Sequence, residues 1–95
     1  MKSDCLRVAV LGAGKWAEFA HIPGWQRDPR AEVAVLCDVE GERSREMAGH
    51  FSIPDSTDDW QAVVGRSDID VVDIATPSRT HHELALAAKI GRAHV

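Results

Sequence analysis

Apolar residues in this chain come in short runs separated by charged, periodic stretches. Leu6–Leu11 is a near-continuous apolar run, as expected of a parallel strand covered on both faces. A glycine turn follows, and the spacing predicts a helix from Lys15 to about Arg27, with Trp16, Phe19, Ala20 and Ile22 available to pack. Pro23-Gly24 is expected to kink or loosen its last turns, and Asp28-Pro29 to end it. Glu32-Val33-Ala34-Val35-Leu36-Cys37-Asp38 reads as a second strand, and Glu40–Phe51 as a charged helix with Met47, Ala48 and Phe51 on one side. Ile53–Thr57 reads as an extended link able to hold a short third strand. Asp58–Val64 fits a short helix with acids in its first turn, where the helix dipole favours them, and Gly65 is a natural stop. Asp70–Thr76 is the next strand, Pro77-Ser78-Arg79 a turn, and Ser78 or Thr80 a cap for a helix over His81–Lys89. Strands alternating with helices imply an α/β, doubly wound parallel sheet with right-handed crossovers.

Composition narrows the function classes. The 95 residues amount to one domain or part of one, and a hydrophobic content of 44% is enough for a packed core. A net charge of −4 argues against nucleic acid as a partner, because phosphate backbones need clustered Lys and Arg. No run approaches the roughly 18 apolar residues of a membrane span. Met1–Cys5 leads straight into a strand and leaves no room for a signal peptide. Cys5 and Cys37 are too few and too far apart for a disulfide framework or a zinc site, so reduced thiols in a cytoplasmic protein are expected.

The chemistry concentrates at Val8-Ala9-Val10-Leu11-Gly12-Ala13-Gly14-Lys15-Trp16-Ala17, where Gly12, Gly14 and Ala17 fall in the G-x-G-x-x-G/A spacing. Gly12 lets the chain turn sharply out of the strand. Gly14 carries no Cβ, so phosphates can approach the backbone, and Ala17 keeps the helix near the sheet. The first N–H groups of a helix lack backbone partners and carry partial positive charge, so an anion is attracted there. Asp38 closes the second strand 21 residues beyond Ala17, close to the roughly 20-residue offset of an acid that binds a ribose. A phosphate-loop nucleotidase is excluded: Trp16 stands where a magnesium-binding Ser or Thr is required, and the spacer between glycines is too short.

Other polar residues have plainer readings. Asp73 interrupts an otherwise apolar strand, and the expectation is an acid near the sheet's end facing water or a helix N-terminus. His21 reads as a packing or supporting residue rather than a proton donor, and His50 as solvent-facing. His82-Glu83-Leu84-Ala85-Leu86 lacks the second histidine of a zinc-protease motif, and His81 and His82 point to different helix faces. No metal site and no nucleophile–base constellation is predicted.

Gly12-Ala13-Gly14-Lys15, His21-Ile22-Pro23, Cys37-Asp38 and Asp70-Val71-Val72-Asp73-Ile74-Ala75-Thr76-Pro77, with His81 four residues after the proline, resemble the glucose–fructose oxidoreductase / inositol dehydrogenase / MocA family. The resemblance covers residues 6–88. It implies an N-terminal Rossmann domain that binds NAD(P), followed by an α/β domain holding much of the substrate site. The implied reaction oxidises or reduces a secondary alcohol on a sugar or cyclitol. On this resemblance, Gly12, Ala13, Gly14 and the backbone of Lys15 and Trp16 cradle the pyrophosphate, and Asp38 accepts from the adenosine ribose hydroxyls. Asp38 also repels a 2′-phosphate, favouring NAD, with NADP as the alternative through Arg43 or Arg45. Thr76, Pro77 and Ser78 flank the nicotinamide half, and His81 lies beside its ribose.

The family continues into a Glu-Lys-Pro motif that is absent here, so the last strands of the sheet and the substrate domain are expected to be missing. Ile90-Gly91-Arg92-Ala93-His94-Val95 match what a widely used sequencing adapter encodes in one reading frame, and adapter read-through is the expectation for them. A chain so shortened should be catalytically inactive alone and self-associate through the bare edge of its fourth strand. Two other classes fit the residues less well: a nucleotide-binding module without chemistry, and a different Rossmann enzyme such as a biosynthetic reductase or a methyltransferase.

Overall fold

In the computed structural model, which describes residues 5–15 and 17–75, four strands form one parallel sheet in the order β3-β2-β1-β4. β1 is Leu6–Leu11, β2 Ala31–Cys37, β3 Asp55–Thr57 and β4 Val71–Ile74. β1 pairs with β2 from Leu6↔Ala31 to Leu11↔Cys37, with a register shift between Val8 and Ala9. On its other side it pairs with β4 from Val8↔Val71 to Leu11↔Ile74. The chain leaves β1 towards β2 and β3, then crosses back to β4, so the direction of winding reverses between β1 and β4. In open α/β sheets the crevice at such a reversal is where ligands bind.

Both faces of β1 are covered, which is why its sequence is apolar without alternation. Ala9 and Leu11 join Val72, Ile74, Val63 and Val64 on one side, beneath helix α3 (Trp60–Val64). Val8 and Val10 join Ala17, Ile22, Val33 and Ala48 on the other, beneath α1 (Ile22–Gln26) and α2 (Gly41–His50). Met47 and Phe51 pack against this second cluster, as the side they share with Ala48 predicts. Helix α3 begins at Asp59, whose carboxylate accepts from the N–H groups of Gln61 and Ala62 at 3.1 and 3.2 Å.

One helix departs from the sequence-based expectation, and another ends in a way the sequence did not mark. The first is not one helix loosened at Pro23-Gly24: Ala17–His21 is wound as a π-helix and the α-helical turns lie across Pro23 and Gly24. A proline in a continuous α-helix clashes with the carbonyl four residues earlier. Widening the turn before Pro23 relieves that clash at Phe19, and Pro23 then sits in the first turn of α1, where its missing N–H costs nothing. The altered winding turns Phe19 outward, 72% exposed, with Ala20 also exposed, so among the described residues of this segment Ala17 and Ile22 alone are fully buried. Helix α2 keeps its expected range, but its end was not marked in the sequence. Ser52 takes φ 58°, and the Ile53 N–H reaches the Ala48 carbonyl at 2.8 Å, a left-handed stop made without glycine. Gly65, by contrast, ends α3 with φ −86° and leaves its conformational freedom unused.

Candidate dinucleotide site

The glycine turn leaves the carboxyl end of β1 and is sewn to the end of β2. Gly12 has φ 112°, a backbone region closed to residues with a Cβ, so the sharp exit requires glycine here. Its N–H donates to the Cys37 carbonyl at 2.6 Å. One residue further, the Ala13 N–H donates to Asp38 Oδ2 at 2.7 Å. The other carboxylate oxygen of Asp38 accepts from the Glu40 N–H at 2.8 Å, and the Asp38 N–H donates to the Thr57 carbonyl at 3.1 Å. Three strand ends therefore converge on one acid. A carboxylate oxygen has a second lone pair, so Asp38 keeps acceptor capacity on both oxygens after these bonds.

The expected residues divide by role. Gly12 makes the turn, Ala17 is wholly buried against the sheet, and a Cβ built on Gly14 would meet nothing within 4 Å. Among the described residues nothing fills the space beside Gly14. Among the described residues the N–H groups of Gly14 and Lys15 have no acceptor, whereas that of Ala13 is committed to Asp38. The Lys15 side chain is exposed. Trp16, Thr76, Pro77, Ser78 and His81 lie outside the described residues.

Around Asp38 the surface is acidic. Glu40 pairs with Arg43 one turn along α2, so that guanidinium is already engaged, and Asp58 and Asp59 lie exposed on the loop after β3. Burial pushes the Cys37 thiol up to about 12, with the charges of Asp38, Asp59 and Asp58 adding to the effect. This cysteine is consequently an inert packing residue.

Sequence reasoning missed three arrangements. Ser44 is fully buried in the middle of α2, its hydroxyl donating to the Gly41 carbonyl at 2.9 Å and facing the Thr57 carbonyl at 3.3 Å. Arg7 links Glu32 and Asp68 at the opposite, amino end of the sheet. Asp73 turns toward two aromatic rings rather than out to water or onto the N–H groups of a helix: its side chain is 17% exposed, lies 2.8 Å from His21 Nδ1 and accepts from Trp25 Nε1 at 2.8 Å. Its position between Val72 and Ile74 turns it onto the face beneath α1, where the indole N–H and an imidazole nitrogen provide the partners that a half-buried carboxylate requires. No signal in the sequence joined residues 52 and 48 positions apart.

A parallel sheet whose winding reverses beside a glycine turn, with an acid from the adjacent strand bonded to that turn, defines a Rossmann-type dinucleotide-binding unit. The chain belongs to the GFO_IDH_MocA family, an oxidoreductase family with an NAD-binding Rossmann fold, whose model matches residues 6–95. Levoglucosan dehydrogenase of Pseudarthrobacter phenanthrenivorans is 39% identical over 97 residues, covering 95% of this chain and 25% of that protein. D-glucoside 3-dehydrogenase of Escherichia coli is 32% identical over 95 residues, covering 100% and 27%. A solved levoglucosan dehydrogenase in complex with NADH and L-sorbose superposes with a TM-score of 0.89 at 31% identity, over 96% of this chain and 26% of that one. The chain thus spans about a quarter of the length of these relatives.

Proposed function

We propose that the chain binds NAD along the carboxyl edge of its sheet. In this reading it is the cofactor-binding part of an oxidoreductase that moves a hydride to or from a secondary alcohol of a sugar or cyclitol. The observation that carries this is the 2.7 Å bond from the Ala13 N–H to Asp38, because it brings the phosphate-binding turn and the ribose-reading acid into one site. Gly12 shapes the turn, Gly14 leaves room for the diphosphate, and the backbone of Lys15 and Trp16 supplies donors to it. Asp38 accepts from the adenosine ribose hydroxyls with its remaining lone pairs. Thr76, Pro77 and Ser78 flank the nicotinamide half, with His81 beside its ribose. The cofactor supplies the hydride chemistry, and none of these residues is given a catalytic role. The sugar names of two relatives support a carbohydrate substrate. The unpaired thiols Cys5 and Cys37 support a cytoplasmic location, and no described helix is long and apolar enough to cross a membrane.

The acidic surround favours NAD over NADP. A 2′-phosphate would meet Asp38, and Arg43, which would otherwise neutralise it, is paired with Glu40. Fluorescence titration tests the reading. NADH should bind at least about tenfold more tightly than NADPH, the factor expected from one unfavourable charge contact of about 1.4 kcal/mol. Asp38→Ala should weaken NADH and erase that preference. No binding of NADH, or an unchanged preference in Asp38→Ala, would overturn it.

A further inference from the structure

The glycine turn is held on one side by Asp38, but the helix that follows it has little to hold itself. Helix α1 has five residues, two of them Pro23 and Gly24, and the turn before it is π-wound. A helix this short and this poor in propensity is sustained only by tertiary contacts. Ile22 provides the apolar contact and is wholly buried. The polar one is Asp73. Its Oδ2 accepts from Trp25 Nε1 at 2.8 Å and lies 2.8 Å from His21 Nδ1, and Oδ1 lies 2.9 Å from the same imidazole nitrogen. His21 and Trp25 are four residues apart and therefore share a helix face. Asp73 itself is fixed opposite Val10 in the β1–β4 ladder, with its side chain only 17% exposed.

We propose that Asp73 is a positioning residue for the dinucleotide site, one that touches no ligand and sets the height and tilt of the segment carrying the phosphate-binding N–H groups. An apolar residue would fill its place on the sheet without the cost of burying a carboxylate, so what the carboxylate adds is directional. The glycine turn is then braced from both neighbouring strands: directly from the end of β2 through Asp38, and from β4 through Asp73, the two rings and Ala17. An ionised carboxylate can only accept, so it places the His21 proton on Nδ1 and leaves Nε2 as the free nitrogen. This proposal rests on the dinucleotide reading of the glycine turn.

The test compares the wild-type chain with Asp73→Asn and Trp25→Phe. The readouts are His21 long-range proton–nitrogen spectra, amide hydrogen exchange and NADH titration. In the wild type the neutral imidazole should carry its proton on Nδ1. The Asn side chain puts an NH2 in place of one oxygen, and an NH2 facing Nδ1 can be met only by an unprotonated nitrogen, so Asp73→Asn should raise the share of the Nε2-protonated tautomer above that of the wild type. It should also speed exchange over residues 17–26 while β1 and β2 keep their protection. NADH binding should weaken about tenfold, the effect expected when a charge-assisted hydrogen bond is lost. Trp25→Phe leaves the imidazole bond in place and should weaken NADH by a smaller factor, with the tautomer unchanged. A wild-type proton on Nε2 overturns the proposal, and so does wild-type NADH affinity in both variants. If the wild type itself fails to bind NADH, the dinucleotide reading has failed instead.

Discussion

At the scale of single residues, the site depends on a few positions where no other side chain meets the geometry. Gly12, at φ 112°, is one of them, since a Cβ there is strained whatever the space around it. Gly12→Ala should lower stability by about 1–3 kcal/mol, the cost of forcing a side chain into a sparsely populated backbone region. Urea unfolding would measure it, and a loss under about 0.5 kcal/mol, the ordinary range for surface substitutions, would show that the turn has an alternative path. Gly12, Gly14 and Asp38 were legible in the sequence because a glycine spacing and a strand-closing acid are local signals. The engagement of the Ala13 N–H by Asp38 was not legible, since it joins residues 25 positions apart. The same holds for Asp73, whose partners are set by which helix lies over β4. Read alone, it is an acid in an apolar strand.

At the scale of elements, the strands follow their apolar runs closely and the helix ends follow local chemistry. Asp59 caps α3 as an acid before a helix should. The end of α2 shows the opposite: its left-handed position is held by Ser52, with Ser52 N–H to the Gly49 carbonyl at 3.4 Å and Ile53 N–H to the Ala48 carbonyl at 2.8 Å. No glycine marks this stop. The burial of Ile53 beside Ala48 pulls the chain back across the helix end and imposes the conformation on Ser52. Ser52→Gly should therefore stabilise the protein by about 1 kcal/mol, as expected when a non-glycine residue is relieved of a left-handed conformation. A higher midpoint in urea with an unchanged slope would confirm it, and a lower midpoint would mean that the serine hydroxyl contributes more than the strain costs. The π-helical turn before α1 belongs here too: Pro23 was visible, but its effect fell on the residues before it.

At the scale of the whole molecule, the two ends of the sheet have different work. The carboxyl ends of β1 and β2 carry the glycine turn and Asp38, the proposed cofactor edge, while the amino ends are tied by charge. Arg7 reaches Glu32 on β2 at 2.9 Å and Asp68 before β4 at 3.3 Å, and Arg66 joins Asp68 and Asp55 on β3, each at 2.8 Å. The side-chain hydrogen bond from Arg66 is the main reason the Asp68 carboxyl is lowered from 3.8 to about 2, and the same pairing raises Arg66. A carboxyl lowered by folding contributes stability above its ordinary value and loses it as the pH falls through the lowered one. Stability should thus decline between pH 3.8 and about 2 on this account. Asp68→Asn should flatten that part of the acid limb. Because the network is solvent-exposed, the difference at neutral pH should stay within about 1 kcal/mol and shrink in salt. Acid titrations of both proteins followed by circular dichroism would check it, and superimposable acid limbs would show that Asp68 does not contribute.

The sequence by itself determined the alternation of elements, the parallel α/β class, the glycine turn and the acid that closes β2. Each of these is written in residues within a few positions of one another, so periodicity and spacing read them directly. Only the tertiary structure decided which N–H groups Asp38 occupies, how Asp73 gathers His21 and Trp25, and where the first helix changes its winding. Those depend on how the strands order themselves and which helix each face receives. Contacts between residues distant in the chain leave no period in the sequence. They exist only once apolar burial has brought the elements together.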